Sequence, residues 1–143
     1  MKRILIWILR LYLGGVTLAA GIAKSLELPG FAGVLQTYRL HLSSSTLLAL
    51  AVTVAIIEIG LGLWVLSGLA PKSAAVAGMV MNAGYLAIMT QALIRGLSLP
   101  NCGCFGVFMA EPLRWYSPLE DVVQIGLFGV LYAMGGRRLR GAG

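Results

Sequence analysis

The chain has 143 residues, a single domain's length; residues of the AVILMFWYC set make up 59% and charged residues 11%, against about 45–50% and about 25% in soluble domains. So much apolar surface excludes a soluble core of this size, disorder and a collagen-like fibre, and two cysteines are too few for a disulfide scaffold. The net charge of +6 sits at the ends of apolar runs, so it reports orientation in a bilayer rather than contact with nucleic acid.

The first apolar run, about 4–23, is long enough to cross a membrane. Lys2 and Arg3 before it and the small residues at 19–21 also suit a signal peptide. Its length, its Arg10 and the apolar runs that follow favour a retained span. In 29–42, Phe31, Val34, Leu35, Tyr38 and Leu42 recur at helical spacing, while Gln36, Thr37, Arg39 and His41 fall mostly off that stripe. This predicts a short amphipathic helix in the outer interface. Ser43 to Thr46 offer a cap for a second span over 46–69. The tight turn at 68–72 leads straight into a third span over 73–94, making an antiparallel hairpin. Ser117 as cap, Pro118 as first helical residue and Glu120 as partner predict the start of a fourth span, 119–136. Small residues should let backbones approach: Thr17 and Gly21, Ala74 and Gly78, Ala83 and Ala87, Gly126 and Gly129. The expected fold is an all-α membrane protein, one antiparallel four-transmembrane-helix bundle over 1–143 with an interfacial helix in its first outer loop.

Lys2, Arg3, Arg10, Lys72, Arg137, Arg138 and Arg140 gather at one face of such a bundle with no acid among them. At the other face Lys24, Arg39, Arg95 and Arg114 balance Glu27, Glu111, Glu120 and Asp121. The positive-inside rule then puts both termini in the cytoplasm and the two long loops outside the cytoplasmic membrane. The terminal arginines suit lipid-surface contact, and no nucleic-acid partner is expected.

Cys102 and Cys104 are the sole cysteines, and they fall in the second outer loop as Cys102-Gly103-Cys104-Phe105-Gly106. Gly103 permits the sharp turn that would bring the sulfurs together. Arg95 and Arg114 are near enough in sequence to favour a thiolate. Three readings stay open. A fixed bridge between near neighbours would constrain the unfolded chain little. Two thiolates suit a two-coordinate soft ion such as Cu(I) or Hg(II), in a binding or transport role. Exchange with a partner thiol is favoured, because small strained disulfides exchange readily. A non-catalytic assembly subunit is a further alternative. Phe105, Phe108 and Trp115 are candidates for an apolar partner-docking surface. No ligand set for a resident metal is apparent.

Polar residues inside the spans form a second group. By helix rise, Arg10 lies ~9 Å, Asn82 ~14 Å, Glu58 ~17 Å and Gln124 ~18 Å from the cytoplasmic end. The expectation is one buried layer in which Arg10 pairs with Glu58, with a proton or quinone site as the functional alternative. Lys24 is expected to pair with Glu27 or Asp121 or to snorkel, and Asp121 to serve as a helix-start charge.

The Cys-Gly-Cys-Phe-Gly string after a third span resembles the MauE branch of the MauE/DoxX-like family. Arg10, Gly14 and 20–24 resemble that family's first span, 29–31 running on to 38–40 its outer helix, 58–62 its second span and Asp121 the start of its fourth. The resemblance implies a four-span, redox-associated protein that helps exported proteins acquire disulfides beside a thioredoxin-like partner. A quinone near the outer leaflet or the buried polar layer could couple the electrons, though no motif in the chain specifies one. With a single cysteine pair, either Cys102 and Cys104 meet both partner and electron carrier or the electrons do not cross this protein alone.

Overall fold

The structure is a computed structural model, and it describes residues 1–135. The expected end of the fourth span at Gly136 and the basic residues Arg137, Arg138 and Arg140 lie outside the described residues. The described elements are five helices: α1 (Lys2–Leu26), α2 (Leu28–Thr37), α3 (Ser44–Ser67), α4 (Pro71–Ile94) and α5 (Ser117–Gly135). Three of them, α1, α3 and α4, are long and apolar enough to cross a membrane. The 19-residue α5 carries acids in its first turns and is not among those three.

α1 packs chiefly along α3, and α4 chiefly along α5; the two pairs meet more lightly. Glycines set the first contact. A Cβ on Gly62 would lie 2.7 Å from Leu18 N, and one on Gly21 2.8 Å from Ile59 N, so the α1 and α3 backbones nearly touch. In the second pair the buried Phe128 ring fills the space over Gly78. Other small residues are not used this way. Ala83 and Ala87 are exposed, and Gly126 and Gly129 face open space.

Leu13, Leu61, Val65, Ala74, Phe128 and Leu131 fill the end nearest the α3–α4 turn, here the hairpin end. Tyr38, Met89, Ala92, Leu99 and Leu113 fill the opposite, loop end. α3 starts under Ser43, whose hydroxyl accepts from Thr46 N at 3.3 Å, and stops at Gly68 in the left-handed region (φ 72°). Arg10 lies at that stop. Its guanidinium donates to Val65 O (3.1 Å) and Leu66 O and sits 4.6 Å from the Trp7 ring centroid. The expected Arg10–Glu58 pair is therefore absent, because free carbonyls at a helix C-terminus claim the cation.

α2 turns its stripe onto protein. Phe31 and Tyr38 are buried, Val34 and Leu35 half-buried, and the helix packs against α3. Leu42 leaves the stripe and is exposed, since Arg39 and His41 break the helix with positive φ. The capping box of α5 does not form as expected. Ser117 is itself helical, and its hydroxyl accepts from Arg114 N at 3.0 Å.

Candidate functional site: a dithiol loop over a buried ion pair

The segment after α4 is pinned into a closed loop. Cys102 N donates to Glu111 O at 2.8 Å and Leu113 N to Leu99 O at 3.0 Å. Asn101 organises the turn inside it. Its Oδ1 accepts from Gly103 N (2.8 Å) and its Nδ2 donates to Gly106 O (2.9 Å). Gly103 takes φ 82°, which swings the two flanking side chains together. Gly106 also takes positive φ and lies against the backbone of Lys24, where a Cβ would meet Lys24 Cα at 3.3 Å.

The result is two free thiols with Sγ atoms 3.1 Å apart, both half-buried. Hydrogen bonding from Cys104 holds the Cys102 thiol down at about 7 against the opposing effect of burial, and the same pairing, with burial, pushes Cys104 up. The expected help from arginines is missing. Arg95 donates to Tyr38 O and Gln91 Oε1, both at 3.2 Å, and the Arg114 guanidinium lies 5.9 Å from the Tyr116 ring centroid. Tyr38 OH donates to Cys102 O at 2.6 Å. Burial first, and then the two thiols, push that phenol up, so it stays a donor.

Beneath the loop lies an ion pair that the sequence did not point to. Lys24 Nζ is 2.7 Å from both Glu58 oxygens, with the two side chains 1% and 2% exposed. Tyr85 OH donates to Glu58 Oε1 and lies 3.3 Å from Lys24 Nζ. The Phe31 and Tyr85 ring centroids are 5.4 and 5.1 Å from the ammonium. The register explains the choice of partner. Gly21 sits beside Glu58 and Ile59, so Lys24, one turn on, comes level with the carboxylate. Lys24 thus pairs with neither Glu27 nor Asp121.

Asn82 is buried and donates to Gly78 O of its own helix at 2.8 Å. Asp121 is 7% exposed, and its Oδ2 has no hydrogen-bond partner. It faces the interior instead of acting as a surface charge at a helix start. A cavity of about 130 Å³ between the two helix pairs joins these parts. Its wall includes Cys102, Cys104, Glu58, Asn82, Asp121 and Gln124, and Phe105 lies on it as well. Arg10 is not part of it. Phe108 (57% exposed) and Trp115 (78%) stand outside, near the loop. Among the described residues, no three His, Cys, Asp or Glu side chains gather to hold a metal ion.

Sequence reasoning does not single out Tyr38, Tyr85 or Asn101 as site residues. Tyr85 follows Asn82 by three residues and so shares its helix face. An Asn two residues before a Gly is a turn signal, which could have singled out Asn101.

The family model described as methylamine utilisation protein MauE matches residues 2–136. A curated relative, the methylamine utilization protein MauE of Paracoccus denitrificans, is 27% identical over 128 residues, covering 89% of this chain and 68% of the relative. No solved structure matches the chain.

Proposed function

The chain belongs to the MauE family, and from that premise we propose that it is a thiol–disulfide exchange protein of the cytoplasmic membrane. In this reading α1, α3, α4 and α5 are four antiparallel spans, both termini are cytoplasmic and the Cys102–Cys104 loop faces outward. The unbalanced basic residues at the hairpin end and the chain termini support that orientation. α2 then lies at the outer interface, roofing the bundle.

The observation that carries the reading is the pair of sulfurs 3.1 Å apart, with the Cys102 thiol held at about 7. Near neutral pH about half of such a thiol is thiolate, the attacking form. Cys102 attacks one sulfur of a partner's disulfide, that S–S bond breaks, and a mixed disulfide forms. Cys104 then gives up its proton and attacks Cys102 Sγ. The partner leaves as a dithiol carrying two electrons, and Cys102–Cys104 is left oxidised. The reverse sequence oxidises the partner. The partner is a thioredoxin-like extracytoplasmic protein that serves exported proteins needing disulfides. The exposed Phe108 and Trp115 give it an apolar place to dock.

Trapping tests this directly. A thioredoxin-fold domain lacking its resolving cysteine is mixed, as an activated disulfide, with reduced protein. Cys104→Ser should accumulate a mixed disulfide at Cys102, and Cys102→Ser should capture at least tenfold less. Equal capture by the two variants, or none by either, rejects the reading.

A further inference from the structure

We propose that the cavity between the helix pairs binds a lipid-soluble quinone, which accepts the two electrons of the Cys102–Cys104 dithiol. This rests on the exchange reading and deepens it by naming the class of electron acceptor.

The chain has one cysteine pair, so a second reactant must reset it after each exchange. Cys102 and Cys104 both line the cavity, which lies between the helix pairs. A reactant that meets them there must dissolve in apolar surroundings. Leu50, Val54 and Ile88 supply such walls where α3 and α4 meet only lightly. Leu50 and Val54 are half-buried and Ile88 is exposed, which gives a way in from the lipid side.

The polar atoms narrow the ligand further. Asp121 Oδ2 is buried without a hydrogen-bond partner. A buried polar atom is costly to leave without a partner. A carbonyl or hydroxyl oxygen in the cavity would satisfy it. Asn82 lines the same space with one amide N–H donated to Gly78 O and a second available. An acyl chain would fill the cavity but leave Asp121 unsatisfied. A planar ring with oxygens at opposite edges matches both the walls and the polar groups.

The step balances. The dithiol loses two electrons and two protons as the Cys102–Cys104 S–S bond forms. The quinone gains both and leaves as a quinol, its two C=O groups becoming C–OH. Asp121 is placed to hand a proton to one carbonyl oxygen. Electrons then run from a partner dithiol through Cys102–Cys104 to the quinone, so the protein oxidises its partner.

The test uses full-length reduced protein in nanodiscs without oxygen, mixed with a short-tailed benzoquinone. One quinol per dithiol is expected, counted by absorbance and by loss of alkylatable thiol. A photoreactive azidobenzoquinone should label residues 81–89 or 117–124 and be displaced by the unlabelled quinone. Asp121→Asn keeps the shape but cannot release a proton, and should slow quinone reduction about a hundredfold. No quinol, label elsewhere, or an undiminished rate in Asp121→Asn overturns the proposal. If quinone fails while a thioredoxin-fold disulfide still oxidises the same dithiol, the quinone inference falls alone. If neither oxidises it, the exchange reading falls too.

Discussion

The Cys102 thiol is held down by the thiol beside it rather than by a nearby cation. The consequence for pH is direct. The rate of Cys102 alkylation in the reduced protein should rise with pH and reach half its maximum near pH 7. In Cys104→Ala the hydrogen bond is gone, and the midpoint should move towards the ordinary thiol value of about 8.5. Rates measured from pH 5 to 9 check this, and an unmoved midpoint would point to another cause. The Lys24–Glu58 pair makes a different demand. Removing one partner leaves the other charge buried and unmatched, which costs about 3–5 kcal/mol. Glu58→Leu and Lys24→Met should each lower membrane abundance and thermal stability, and the double variant should recover most of the loss. Arg10 cannot rescue either single variant, because it is engaged at the end of α3.

Among elements, the α1–α3 pair depends on backbone approach. A methyl group at Gly62 would meet Leu18 N and Cα within 2.8 Å, and backbone cannot move aside as a side chain does. Gly62→Ala should therefore cost about 1–3 kcal/mol in thermal unfolding. Gly60→Ala, two residues away with open space around it, should cost nothing measurable. The cysteine loop has its own keystone. Asn101→Ala would leave Gly103 N and Gly106 O without their present partners. Such losses are worth about 1–3 kcal/mol when the groups stay buried. Hydrogen exchange at Gly103 should speed up in that variant, while exchange in the α1–α3 contact at 58–62 should not.

The whole molecule is two tightly packed helix pairs that meet loosely, roofed by α2 and the dithiol loop. The looseness leaves the cavity, and the roof puts Cys102 and Cys104 on its wall at the loop end. A membrane-impermeant maleimide added to intact cells should modify Cys102 without permeabilisation, and Cys104 more slowly because its thiol is held protonated. Labelling that needs permeabilisation would invert the proposed topology.

The sequence alone determined the helical, membrane-crossing character, because apolar run length and charge placement are local and additive. It also singled out Cys102 and Cys104, whose closeness depends on one intervening glycine. It could not assign Glu58 a partner. Rise along a helix measures depth from that helix's own end, and the stagger between neighbours is set by which side chains interlock. Gly21 and Gly62 set that stagger, bringing Lys24 to Glu58 and leaving Arg10 to the end of α3, while Tyr85 reaches Glu58 from α4. Only the tertiary structure could place Asp121 on the cavity wall, because burial belongs to the gap between the helix pairs and to no stretch of chain by itself.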